Sequence, residues 1–369
     1  MSDQAPKIFQ TVVFMTGIFG GIFLLSCSEQ TYSNSETSPP NLTRFDLSTN
    51  AFEVCQSKEL EKETFLKFFT EGGYAIPGNP KPDALDGFFE EVREGYSVET
   101  VGLDYSLIKR EYHTFTHAMD VMISTHALFE AGAGVFFTAD EKAVLLLAAL
   151  GHDVLHSGVN NGFLAKTKHP LVEQFGADGV QEKRSVQFME KVLKKYGLIE
   201  ISDTNQSSWP LRMLRQSILW TDFSRHTDLM NRVSEIIPKL EPPKAPERKR
   251  GISTDSILNQ EERILLASFL LHCADISNPG KEWTVAQKWA NLVMNEFYAQ
   301  GDLEKSLGME PSMNCDRLTV KIAECQIGFG KYVVHDLFAE LSKIVPSGGT
   351  FLLSNLTVNQ SNWQTLIDQ

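Results

Sequence analysis

Residues 138–161, TADEKAVLLLAALGHDVLHSGVNN, decide how the rest of the chain is read. Thr138 followed three residues later by Glu141 is a capping-box pattern, and the run from Lys142 to Leu150 behind it is strongly apolar. That pattern predicts a helix buried on nearly every side, because a helix without a polar face belongs in the core. Such a helix carries His152, Asp153 and His156 inward at its end. An imidazole and a carboxylate buried together are costly unless something pairs with them, and a divalent cation suits both. An ordinary hydrogen-bonded His-Asp pair at a helix end is the alternative.

The same period governs the segments on either side. Glu59 to Phe69, Ala84 to Arg93 and Tyr105 to Phe129 place apolar residues at helical spacing. So do Val180 to Tyr196, Leu211 to Asp222, Glu261 to Ala274, Trp283 to Gln300 and Leu318 to Leu341. None sustains the period-two alternation of a strand, and Gly and Pro fall between the runs. The expected fold is all-α, a multi-helix domain over residues 57–345 with no internal repeat. Residues 240–256, LEPPKAPERKRGISTDS, read as an interior loop whose Arg248 to Arg250 form a solvated basic surface. Residues 346–369 read as a polar, peripheral tail.

The N-terminus differs from everything downstream. Thr11 to Cys27, TVVFMTGIFGGIFLLSC, is an apolar run of 17 residues, short for a spanning helix and long for the apolar part of a signal peptide. Residues 1–27 are therefore expected to be an anchor or signal segment, and the protein to be membrane-associated through residues 11–27. Leu24-Leu25-Ser26-Cys27 is also similar to a lipoprotein cleavage box, so an exported lipoprotein is one alternative and a cytoplasmic protein another. Residues 28–56, rich in Ser, Thr, Asn and Pro, read as a tether.

Composition bounds the function. With 369 residues, 42% of them hydrophobic, the chain can bury a large core. Its formal charge of −13 argues against nucleic acid as a partner, since phosphate backbones are bound by basic surfaces. An anionic substrate would need local positive charge, most simply a metal. The five cysteines lack paired spacing, which leaves no disulfide framework and no zinc knuckle. No feature of the sequence fixes an oligomeric state.

Separated segments supply the groups that could do chemistry. In YHTFTHAMDV, His113 and His117 are four apart and so share one face if the segment is helical. His152 and His156 repeat that spacing, Thr221-Asp222 follows an apolar helix, and Asp275 ends another. Polar helix ends that arrive behind buried residues are hard to dismiss, because unpaired buried charges are rare.

These blocks carry a resemblance. YHTFTHAMDV, GHDVLHSGVNNGFL, ILWTDFSRH, HCADISNPGKEW, YAQGDLEKSLG and ECQIGFGKYVV stand in the order in which the class I cyclic-nucleotide phosphodiesterases carry their signature blocks, over roughly residues 100–342. The resemblance implies an all-helical, HD-like catalytic domain that hydrolyses the cyclic phosphodiester of cAMP or cGMP to the 5′-nucleotide. It makes His117, His152, Asp153 and Asp275 the ligands of a tightly held metal, zinc in the usual case, with Asp153 bridging to magnesium or manganese. Thr221 and Asp222 would support the waters of that second ion, and His156 and Glu182 would back the ligands. Two such ions lower the pKa of a shared water from roughly 15.7 toward about 7. His113 would protonate the leaving oxygen. Gln326 and Phe329 match the purine-holding glutamine and stacking phenylalanine, and Tyr112, Asn278, Val293 and Phe297 match other pocket positions. Asn278-Pro279 is more like the cAMP-preferring members. The chain departs from the pattern at Thr114, at Arg184-Ser185 and at Met313-Asn314. Rival readings are a catalytically silent relative that binds cyclic nucleotide or metal, and an HD-type phosphohydrolase acting on another ester. A metalloprotease fits less well, since Asp153 stands where that motif needs Glu.

Overall fold

The capping box at Thr138 forms as read. The Thr138 hydroxyl accepts from the Glu141 amide and the Glu141 carboxylate accepts from the Thr138 amide, which starts a helix over Ala139–Gly151. Residues Ala143 through Leu150 of that helix are all within 1% of complete burial. A second capping box, Asn259 with Glu262, starts Gln260–Asp275. The two helix starts are tied by a buried ion pair, Arg263 Nε to Glu141 Oε1 at 2.9 Å.

The structure, a computed structural model, describes residues 45–81, 83–97, 110–200, 208–240 and 257–369. The helices are α1 (Ala51–Val54), α2 (Lys58–Glu71), α3 (Ala84–Gly95), α4 (Phe115–Glu130), α5 (Ala139–Gly151), α6 (Asn161–Lys166), α7 (Pro170–Phe175) and α8 (Val180–Tyr196). They continue with α9 (Trp209–Leu219), α10 (His226–Leu240), α11 (Gln260–Asp275), α12 (Trp283–Ser306), α13 (Ile322–Phe329), α14 (His335–Ile344) and α15 (Pro346–Asp368). No strand occurs among the described residues, so the all-α expectation holds. At the centre α4, α5, α9 and α11 pack on one another. His117 lies in the first turn of α4, His152 caps the C-terminus of α5, Thr221 and Asp222 follow α9, and Asp275 closes α11. Three C-termini thus meet near one N-terminus. Their partial negative charge favours a cation at that end of the core.

Core packing sets the stability of this frame. Leu147 on α5 is fully buried. Leu147→Ala is expected to cost about 2–5 kcal/mol, the usual range for opening a cavity in a close-packed interior. Urea unfolding followed by circular dichroism would measure it.

Several expectations are corrected by the structure. Among the described residues, the core takes in segments before residue 57: Phe45, Leu47, Ala51 and Val54 are buried, and Phe45 stacks on Phe68 at 5.5 Å. The expected peripheral tail is the 23-residue helix α15, which buries Leu352, Leu356, Asn359 and Trp363. Their spacing is helical, and its polar intervening residues masked the stripe. The helix predicted from Tyr105 begins at Phe115, so His113 precedes it. The run Leu318 to Leu341 is broken by a π-helical turn at Gly330–Val334. The loop at 241–256 lies outside the described residues.

Membrane association is also corrected: no helix among the described residues is long and apolar enough to cross a membrane. The very apolar α5 has 13 residues, about 20 Å, against roughly 30 Å of hydrocarbon, and α12 is long enough but carries Lys288, Glu296, Asp302 and Glu304. Residues 11–27, which prompted the expectation, lie outside the described residues.

Candidate metal centre and active site

His117, His152, Asp153 and Asp275 converge, each offering one ligand atom, with all four atoms within 4.8 Å of one another. His152 Nε2 lies 3.0 Å from Asp153 Oδ2 and 3.3 Å from Asp275 Oδ1, while His117 Nε2 lies 3.0 Å from Asp275 Oδ1 and 3.6 Å from Asp153 Oδ2. Donors about 2.1 Å from one ion sit roughly 3.0–3.4 Å apart, so the set has the dimensions of a single coordination sphere. His152 Nδ1 lies 2.8 Å from the Ala149 carbonyl, to which it donates, leaving Nε2 as the ligand atom. That Nε2 is buried and makes no hydrogen bond, which is what a ligand awaiting a cation would show. Burial disfavours charge on His152, but Asp153 and then Asp275 outweigh it and raise its pKa well above the usual imidazole range. Without a cation the cluster needs protons to offset two carboxylates. A divalent ion held there would take their place.

Glu182 and Asp222 stand behind Asp153. Burial, followed by the charge of Asp222, lifts the Glu182 carboxyl to about 7, and Asn161 Nδ2 donates to it at 2.9 Å. Asp222 accepts from the Ser224 amide at 2.9 Å, and the Thr221 hydroxyl donates to the Ile218 carbonyl at 2.8 Å. Arg184 and Ser185 donate to the carbonyls of Leu155 (2.7 Å) and Val154 (2.8 Å), so these departures from the familiar pattern brace the turn behind the ligands. Leu155 is in the left-handed region, φ +65°, which turns His156 out of line with α5.

His113 is set by a residue the sequence reading missed. Glu296, 2% exposed on α12, bonds His113 Nδ1 through one carboxylate oxygen. Its other oxygen accepts the amides of Glu111 (3.1 Å), Tyr112 (2.9 Å) and His113 (3.3 Å). These bonds hold residues 111–113 off the helix. The available signal was a lone acid among apolar neighbours in NLVMNEFYA. His113 Nε2 has no hydrogen bond among the described residues, and the ring lies 6.1 Å from His117 between centroids.

His156 stacks on His113 at 3.7 Å. Burial and then the neighbouring His113 push its pKa down to about 3. For His113, burial opposes the charge, but Glu296 and then Asp153 outweigh it and raise the pKa to about 9. The pKa values of two imidazoles in contact are thus driven apart, one favouring the protonated form and the other the neutral form, which is how environments assign acid and base roles. Gln181, also missed, bridges the turn: its amide nitrogen lies 2.7 Å from His156 Nε2 and its oxygen accepts from the Ser157 amide at 2.9 Å.

The cluster floors a cavity of about 870 Å³. Tyr112, Asn278, Val293, Phe297, Gln326 and Phe329 all line it. Asn278 is held firmly: Nδ2 donates to Asp120 at 2.8 Å and Oδ1 accepts from the Tyr112 hydroxyl at 2.6 Å. Asp120 is itself ion-paired with Lys281 at 2.7 Å, both buried. Gln326 contrasts with it, since no hydrogen bond fixes its amide among the described residues. Phe329 faces Phe223, with centroids 6.2 Å apart.

An all-helical frame delivering two histidines and two aspartates to the floor of such a cavity, beside a third histidine, presents a donor set that suits a divalent metal ion and a hydrolase. Residues 112–356 match the profile of the 3'5'-cyclic nucleotide phosphodiesterases. The chain is 31% identical over 270 residues to the Drosophila melanogaster 3',5'-cyclic-AMP phosphodiesterase, with 72% of this chain and 24% of the relative covered. It is equally similar to isoform F of that enzyme, covering 39% of it. Among solved structures, LmjPDEB1 in complex with IBMX superposes with a TM-score of 0.73 at 26% identity, covering 91% of this chain and 96% of the other. The phosphodiesterase domain of a rhodopsin phosphodiesterase from Salpingoeca rosetta shares the fold, with a TM-score of 0.72 at 22% identity, over 88% of this chain and 92% of that one. The chain belongs to the 3'5'-cyclic nucleotide phosphodiesterase family.

Proposed function

We propose that this chain hydrolyses a 3',5'-cyclic nucleotide, cAMP in preference to cGMP, to the 5'-nucleoside monophosphate. The observation that carries the reading is the convergence of His117, His152, Asp153 and Asp275 beside His113, whose ring lies 6.1 Å from that of His117 between centroids, at a cavity of about 870 Å³. His117, His152, Asp153 and Asp275 would hold the tight ion, zinc on the strength of its nitrogen and oxygen donors, and Asp153 would be shared with magnesium or manganese. When bound, the ions supply Lewis acidity and an acidified water for attack on phosphorus.

The chain's own residues account for the rest. His113 holds a proton at Nε2, with Nδ1 anchored on Glu296, and gives it to the 3' oxygen as the P–O3' bond breaks. Glu182, Thr221 and Asp222 offer acceptors for water around the second ion, and His156 stays neutral beside the acid. Val293, Phe297 and Phe329 clamp a flat base, and Gln326, free to present either donor or acceptor, suits any purine. Asn278 is not free: the acceptor Asp120 requires its Nδ2, so Oδ1 and the Tyr112 oxygen present acceptors. That edge suits the amino group of adenine over the oxo group of guanine.

Chromatography of cAMP and cGMP incubated with the purified chain tests this. Chelation by EDTA is expected to abolish AMP formation, and added Mg²⁺ or Mn²⁺ to restore it. A chain that binds cAMP but forms no AMP with metal present would refute catalysis, and turnover confined to other phosphate esters would refute the substrate.

A further inference from the structure

The carboxy-terminal helix α15 hydrogen-bonds the backbone beside both polar residues proposed to face the base, Asn278 and Gln326. On one side, Asn359, 2% exposed, donates to the carbonyls of Pro279 (2.8 Å) and Lys281 (2.9 Å), and Asn355 donates to the carbonyl of Gly280 (3.0 Å). Three successive carbonyls of the turn that follows Asn278 are thereby held from α15. On the other side, Gln360 donates to the Gln326 carbonyl at 3.3 Å. Two glycines permit the approach. A Cβ on Gly280 would meet Leu352 and Phe338 at 2.8–3.0 Å, and one on Gly330 would meet the Gln360 amide at 1.7 Å. Trp363 packs edge-on against Trp283, 4.7 Å between centroids, and seats the helix at the start of α12.

We infer that α15 is a positioning element for nucleotide recognition, acting through Asn359 on Asn278 and through Gln360 on Gln326. Asn359, Gln360 and Trp363 lie beyond residues 112–356, so this contact is not part of what the family match covers. The inference rests on the proposed phosphodiesterase reading for its substrate. Its physical basis is a mismatch in how the turn is held. The Asn278 side chain is fixed from inside by Asp120, but the turn's own carbonyls find their donors on α15. Rotating that turn by a fraction of an ångström would move the Oδ1 acceptor away from an adenine amino group, while His113, His117, His152 and Asp153 sit on other elements and Asp275 is held in the last turn of α11.

The test uses the full chain with Asn359→Leu, which keeps the branched skeleton and removes both donors, and Asn359→Asp, which keeps shape and sets a carboxylate against two carbonyls. Loss of one well-placed hydrogen bond is worth about tenfold in affinity, so KM for cAMP should rise by about tenfold with kcat within about twofold, and the preference for cAMP over cGMP should contract. Metal content should be unchanged. A lower melting temperature with wild-type KM and wild-type cAMP to cGMP ratio would overturn the inference and leave α15 as packing alone. Should the Asn359 variants fail to fold, Gln360→Met is read by the same ratio, and an unchanged ratio there overturns it too. Calorimetric binding of 5'-AMP reads the same subsite without turnover. A wild type that binds AMP and hydrolyses nothing sinks the catalytic reading while this one is still decided by the variants' AMP affinity; a wild type that neither hydrolyses cAMP nor binds AMP sinks both.

Discussion

Asp153→Asn is expected to lower cAMP turnover by about 10³-fold or more and to release metal, with the helical spectrum unchanged. Metal ions stabilise transition-state charge by several kcal/mol, and each 1.36 kcal/mol is tenfold in rate. The amide keeps the carboxylate's shape but removes one of two negative charges from a site where His117 and His152 are buried. It also offers an N–H toward His152 Nε2, 3.0 Å from the present Oδ2, which competes with any cation for that nitrogen. On the proposed reading Asp153 would be shared between two ions, so both should weaken together. Elemental analysis and initial rates on one sample provide the check. A variant that kept its metal and worked within tenfold of wild type would contradict the shared-ligand assignment.

His113→Ala should separate chemistry from metal binding: turnover falls by about 10²–10⁴-fold, the usual contribution of a positioned acid, while metal content stays. The wild-type pH profile carries its own signature. Burial pushes the His113 pKa down, yet Glu296 and then Asp153 raise it to about 9. The acid is the protonated form, so the rate should be level below that limit and fall tenfold per pH unit above it. Ions on Asp153 cancel that aspartate's share and move the limit downward, whereas the share from Glu296 persists. Glu296→Gln should therefore shift the alkaline limb to lower pH and release the amides of residues 111–113. An alkaline limb that stays in place in Glu296→Gln, or near-normal turnover in His113→Ala, would remove His113 from the role.

Much of the site was legible because its residues sit at helix ends marked by local rules. Thr138 and Glu141 announce α5, and the apolar run behind them dictates burial of His152. What defeated the reading was contact across the sequence. His113 and His117 looked like neighbours on one helical face, but Glu296, 183 residues away, takes three backbone amides and pulls His113 out of the helix. Gln181 and Lys281 are polar residues among many, and only their burial beside His156 and Asp120 gives them a role. The tail was misread because its Ser, Thr and Asn residues suggest solvent, although several of those amides face carbonyls on other elements.

The sequence by itself determined the helical class, the residue types of the His-Asp cluster and the family, because periodicity, capping and short motifs are properties of contiguous residues. Tertiary structure alone decided that Glu296 raises the pKa of His113 while burial lowers that of His156, which way Asn278 points and which carbonyls α15 meets. Those outcomes depend on electrostatic and hydrogen-bond partners brought together from distant segments, and such partners exist only once the chain has folded.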